Sequence, residues 1–162
     1  IKKKSISKLK LCWIGDANNN MMNSLIEACI KFSISLNIAC PKNYQPNKAL
    51  ISLIKKQKGK IKIFNKKEKA VKNSDVVMTD KIISLNDKVN KKKKLKSFKN
   101  FKVDSKTMNL AKKDAIFLHC LPRGSEVTEE VFLGKQSRVW QQALNRVYVQ
   151  KSILLYCFGK LR

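Results

Sequence analysis

Five short apolar runs alternate with segments of helical periodicity along most of this chain, and that alternation restricts the fold more than any other feature. The runs cover residues 9–15 (LKLCWIG), 36–40 (LNIAC), 60–64 (KIKIF), 75–79 (DVVMT) and 115–121 (AIFLHCL). Each is bounded by turn-forming residues, as strands are. Between the first two, Met22, Leu25, Ile26, Cys29 and Ile30 recur at helical spacing, with Asn18–Asn20 able to cap the helix. Residues 47–58, 67–73, 105–113 and 142–158 read as further helices, with Leu50, Ile51 and Ile54 on one face, and Met108 and Leu110 turned inward. Residues 126–132 read as a short helical turn, 137–140 as a sixth short strand, and the Lys-rich stretch 80–100 as a long loop or broken segment. Strands separated by helices require parallel crossovers, so the predicted class is α/β: an open doubly wound parallel sheet with helices on both faces. The fifth run is apolar throughout and is expected to be central.

Composition narrows the function. The 162 residues suit one domain and carry a formal net charge of +25, with 36 basic residues against 11 acidic ones. Only Arg123, Arg138, Arg146 and Arg162 are arginines, whereas base-reading proteins favour the bidentate guanidinium. The lysines are spread over nearly every polar stretch, which argues for a solvated basic surface and no specific nucleic-acid partner. Five cysteines without a C-x-x-C, together with a single histidine, disfavour a metal site and imply reduced thiols, hence a cytoplasmic protein. No apolar stretch reaches the ~18 residues a membrane span needs. The first residue is not Met and residues 1–10 lack a signal-peptide core, which suggests a chain that has been cut.

Ligands of open α/β sheets bind beyond the carboxyl ends of the strands. That rule selects 16–20, Cys40–Pro41, Asp80 and 119–123, three of which are rich in polar groups. The first turn, GDANNN, holds one Gly and places Asp16 where a pyrophosphate would be repelled, so dinucleotide binding is disfavoured; no P-loop is present either. Asn18 and Asn19 can cap a helix or hold a zwitterion, because an amide both donates and accepts. Asp80 can pair with an ammonium or be a solvated turn residue. His119 and Cys120 are strand neighbours that point to opposite faces, so they do not form a thiol–imidazole nucleophile. Taken by itself, Cys120 could equally be a core residue.

Together these residues resemble the ornithine-binding domain of the aspartate/ornithine carbamoyltransferase family. The resemblance rests on Trp13-Ile-Gly-Asp-Ala-Asn-Asn19 with Asn23-Ser24, on Thr79-Asp80 with Ser84-Leu85, on His119-Cys-Leu-Pro122 with Arg123, and on Gln136-Ser137, Val139-Trp140 and Asn145-Arg146. These stretches stand in the family's order over nearly the whole chain. Cys120, where relatives acting on aspartate carry Pro, favours ornithine. Leu85 stands for the family's Met, Asn86 for its Gly, and Ile82 for its Trp.

The resemblance implies that residues 1–162 form the ornithine domain. The partner N-terminal domain, with its S-T-R-T-R phosphate loop, is absent from these residues, and the complete enzyme is expected to be a homotrimer. It further implies that Asn19, Asp80, Ser84 and Leu85 hold L-ornithine, and that Cys120, Leu121 and Arg146 contact the carbamoyl group of carbamoyl phosphate. Cys120, Arg146 and Asp80 are the expected catalytic residues, with no metal and no cofactor. Alternatives are another acceptor amine, such as putrescine or an acylated ornithine, or a non-catalytic module binding an amino acid, or polyanions through residues 88–102.

Overall fold

A computed structural model describes residues 5–83 and 90–160. Its elements are β1 (Lys10–Ile14), α1 (Asn20–Lys31), β2 (Ser35–Ala39), α2 (Lys48–Lys56), β3 (Ile61–Phe64), α3 (Lys67–Val71), β4 (Val76–Thr79), α4 (Lys91–Ser97), α5 (Ser105–Asn109), β5 (Ile116–His119), α6 (Glu129–Leu133) and α7 (Val139–Cys157). The strands form one sheet in the order β3-β2-β1-β4-β5, every pair parallel. This is the predicted open doubly wound sheet, with the reversal of strand order between β1 and β4.

Strand alternation divides the interior into two layers. Trp13 points to one face, where it packs with Ile26, Cys29, Leu36, Ile38 and Leu50 beneath α1 and α2. Its neighbours Cys12 and Ile14 point to the other face, with Val71, Val77, Phe117, Phe132 and Val139 beneath α3, α5, α6 and α7. Polar caps start the helices where the turns require it. Asn19, Asn47 and Asp104 accept the N–H groups of Met22, Leu50 and Thr107 at 2.9, 3.0 and 2.8 Å.

Four expectations need correction. β5 is an edge strand rather than a central one; its apolar character is explained by the cover over its outer edge. There Phe117 donates its N–H to Gln136 O at 2.8 Å and accepts from Arg138 N at 2.9 Å. Residues 137–140 therefore contribute one parallel bridge, Phe117–Ser137, and no sixth strand, because α7 begins at Val139. The Lys-rich stretch contains α4, capped by Asn90, and its Phe98, with Phe101 just beyond it, is buried in the core. Leu110 lies past the end of the short α5 and is 43% exposed.

Candidate functional site

The carboxyl ends of β1, β4 and β5 lie side by side, spaced by the ~4.8 Å between paired strands. The β1–α1 turn begins at Gly15, whose φ of +147° strains any L side chain and where a Cβ would sit a tight 3.3 Å from Thr79 Oγ1. Asp16 then organises the turn. Its Oδ1 accepts from Asn18 N at 2.9 Å, and its carbonyl accepts from Trp13 Nε1 at 3.1 Å and Asn19 Nδ2 at 3.0 Å. Asn19 thus caps α1 with its side-chain oxygen while its side-chain amide is held by the turn. Asn18 is exposed.

At the ends of β4 and β5, Cys120 and Asp80 meet. The Cys120 thiol donates to Asp80 Oδ1 at 2.6 Å, and Lys81 N donates to the same oxygen at 2.7 Å. His119 points elsewhere, as strand geometry requires. It is buried against Phe117 and Phe132, with Nε2 2.9 Å from Glu126 Oε1 and Nδ1 against the Cys120 carbonyl. Acceptors at both ring nitrogens require both to carry protons. Burial works against that charge, but the contacts with Cys120 and Glu126 outweigh it and raise the His119 pKa to about 10. Burial likewise opposes the Glu126 charge, and hydrogen bonds from His119 and Gly124 N outweigh it, holding this carboxyl below its usual range. The Leu121–Pro122 peptide is cis.

Helix α7 docks on this end of the sheet through Gln142, whose Oε1 accepts the His119 N–H at 3.0 Å. Arg146 follows four residues later and so lies on the same helix face, one turn further on. It is exposed and forms no ion pair among the described residues.

The structure therefore brings Asn19, Asp80 and Cys120 to one sheet end, with Leu121 beside them, 44% exposed, while Arg146 lies on α7 one turn past Gln142. Ser84 and Leu85 lie outside the described residues. Cys40, after β2, is buried in the core, and burial pushes its thiol up to about 12, so that corner offers no reactive group. Sequence reasoning missed Glu126, Gln142 and the buried Lys94, which forms an ion pair with Asp16 at 2.8 Å. Neither spacing nor composition singles out one acid seven residues after a histidine, or one lysine within a lysine run.

Among the described residues, no group of three or more His, Cys, Asp or Glu side chains could hold a metal. No described helix is long and apolar enough to cross a membrane. A cavity of about 560 Å³ lies at the opposite end of the sheet, lined by Lys8, Lys10, Lys60, Lys62, Lys69 and Lys72 among others. It is remote from the thiol–carboxylate pair, and the strand-end rule favours the latter as the candidate site.

The sequence profile of the aspartate/ornithine carbamoyltransferase Asp/Orn-binding domain matches residues 7–157. The chain belongs to this family. An ornithine carbamoyltransferase of Rhodopseudomonas palustris is 44% identical over 151 residues, covering 92% of this chain and 48% of the relative. One from Methanocorpusculum labreanum is 41% identical over 149 residues, covering 91% and 48%. Among solved structures, the anabolic ornithine carbamoyltransferase of Campylobacter jejuni superposes with a TM-score of 0.86 at 38% identity, covering 94% of this chain and 52% of that one. The carbamoyltransferase Asp/Orn-binding domain described here thus spans about half the length of the relatives it matches.

Proposed function

We propose that this chain supplies the amino-acid half of an enzyme that transfers the carbamoyl group of carbamoyl phosphate to the side-chain amine of L-ornithine, giving L-citrulline and phosphate. The observation that carries the reading is the Cys120–Asp80 contact at adjacent strand ends, in a chain similar to proteins named ornithine carbamoyltransferase. The ornithine α-ammonium pairs with Asp80, assisted by Asn19, Ser84 and Leu85. A free amino acid suits this set: putrescine has no carboxylate to hold, and an acylated ornithine has no α-ammonium.

The side-chain amine attacks only when neutral, and its free pKa is near that of lysine, ~10. Cys120 lies beside it and helps fix its approach to the carbonyl carbon. The new C–N bond forms, the bond to phosphate breaks, and the proton given up by nitrogen leaves with the departing phosphate. Leu121 contacts the carbamoyl group, and the Arg146 guanidinium stabilises charge growing on its oxygen. His119 is a double donor in this arrangement, so it secures the strand end instead of taking the proton.

Residues 1–162 act as the ornithine domain. The rest of the enzyme, by this reading a cytoplasmic homotrimer, contributes a carbamoyl-phosphate domain with its own phosphate loop. The exposed apolar side chains along α7, Trp140, Val147, Tyr148, Ile153, Leu154 and Tyr156, support the presence of such a neighbour. The chain alone is then catalytically inactive. The test is amide NMR of this chain with millimolar L-ornithine, L-aspartate and putrescine. Ornithine-specific shifts at Asn19, Asp80, Ser84 and Leu85 are expected. Shifts with aspartate or putrescine instead would refute the substrate. A polyanion-binding module would show strongly salt-dependent binding to phosphate chains and no preference among the three amines.

A further inference from the structure

We infer that Lys94 is a positioning residue for the amino-acid site, acting through Asp16 on the turn that presents Asn19. The inference rests on reading this end of the sheet as the ornithine site. Helix α4 carries five lysines, Lys91, Lys92, Lys93, Lys94 and Lys96, and Lys94 is buried (6% exposed) while the others are exposed. A lysine is rarely buried unless its charge is paired. Its Nζ lies 2.8 Å from Asp16 Oδ2 and 5.8 Å from the centroid of the Tyr44 ring. Asp16 is itself 8% exposed.

The geometry gives this pair a specific task. Asp16 uses one carboxylate oxygen for Lys94 and the other for the Asn18 N–H, while its carbonyl holds the Asn19 side-chain amide. Lys94 therefore fixes the plane of a carboxylate that holds the Asn18 N–H, while the backbone carbonyl of the same residue holds the Asn19 side-chain amide. Tyr44 closes the arrangement from a third side, since its carbonyl accepts from Ala17 N at 2.9 Å and its ring packs on Phe98, 4.7 Å between centroids. For stability alone, a well-packed apolar pair would serve as well as a buried ion pair. A two-oxygen acceptor held by a cation fixes the Asn18 N–H, and with it the turn whose Asp16 carbonyl holds the Asn19 amide. Asn19 then meets ornithine in a preset orientation, and no ordering is required at the moment of binding.

The test uses the isotope-labelled 162-residue chain in four forms: parent, Lys94→Met, Lys94→Arg, and the doubly neutral Asp16→Asn/Lys94→Met. L-ornithine is the probe. We expect Lys94→Met to raise the ornithine Kd at least tenfold and to displace the Asn18 backbone and Asn19 side-chain amide signals before any ligand is added. Lys94→Arg should restore the Kd to within threefold of the parent. If Lys94→Met does not fold, the doubly neutral variant, which removes the Asp16 charge along with the Lys94 charge, carries the same two readouts. A folded variant that binds ornithine within twofold of the parent overturns the inference. If the parent binds no ornithine, the functional reading fails separately. The ligand-free signals then decide: displaced Asn18 and Asn19 resonances support the positioning role, and unchanged ones overturn it.

Discussion

Replacing Glu126 by Gln tests the electrostatics of the site most sharply, because the change keeps volume and an acceptor for Gly124 N–H while removing one buried charge. In the parent, His119 is protonated against Glu126, with a folded pKa of about 10 against 6.5 when unperturbed. The sign follows from linkage: a pKa raised by folding stabilises fully below the unfolded value and is lost as pH rises through the folded one. The protonated ring then contributes on the order of 4 kcal/mol at pH 7 and on the order of 1 kcal/mol at pH 9. With Gln at position 126 the Glu126 share of that support is lost while the Cys120 contacts remain, so the His119 pKa falls and part of this contribution disappears. The variant should therefore melt below the parent at pH 7, by at most roughly 10 °C, and by less at pH 9. Circular dichroism melts of both proteins from pH 6 to 9 measure the gap, and other titrating groups cancel in the difference. His119 is the only histidine, so its ring-proton NMR signal reports the same titration without assignment ambiguity. A melting gap that stays constant with pH, or a parent His119 titrating near ~6.5, would refute the reasoning.

Four further outcomes are expected. Asp80→Asn should weaken ornithine binding at least tenfold by NMR titration, with little change in the melting curve, because Asp80 bonds only a thiol and one turn N–H among the described residues. Thiol labelling at pH 8 should modify Cys157 and Cys120 well before Cys12, Cys29 and Cys40, whose thiols burial pushes up to about 12, 11 and 12; saturating ornithine should slow Cys120 alone. Asn19→Ala should cost about 1 kcal/mol of stability through loss of the α1 cap, read by urea unfolding, and weaken ornithine binding as well. Finally, Ile153→Lys with Tyr156→Lys should reduce concentration-dependent light scattering by the isolated chain, since both side chains are exposed on α7; equal scattering would show that α7 is not the sticky surface.

The sheet was legible in the sequence because strand runs and helical periodicity both arise from burial, and burial is periodic. Trp13 and its neighbours Cys12 and Ile14 lie on opposite faces as alternation demands. The errors share one cause, contacts made by distant segments. β5 read as central because an edge covered by residues 136–138 is as dry as a paired one. α4 was hidden because its core anchors, Phe98 and Phe101, come after the helix and its own residues are almost all lysine. Cys120, Asp80 and Asn19 were legible as strand-end residues in a recognisable order. Glu126, Gln142 and Lys94 were not, since each matters through one partner far away in sequence.

The division of labour at the site follows from these hidden partners. A histidine next to Cys120 invites a base role, yet His119 donates from both nitrogens and is held charged by its contacts with Cys120 and Glu126, so near neutral pH it has no lone pair to offer. Its N–H and ring instead anchor the end of β5 to Gln142 of α7 on one side and to the 124–126 segment on the other. That anchoring fixes the backbone of Cys120 and Leu121, the two residues proposed to meet the carbamoyl group. It also sets the helix that carries Arg146. Asp80, bonded to the Cys120 thiol, then remains available for the α-ammonium it is proposed to hold. On this argument Glu126→Gln and Asp80→Asn should part company: the first loosens the scaffold with a pH-dependent loss of stability, and the second removes substrate binding from a scaffold that still melts like the parent.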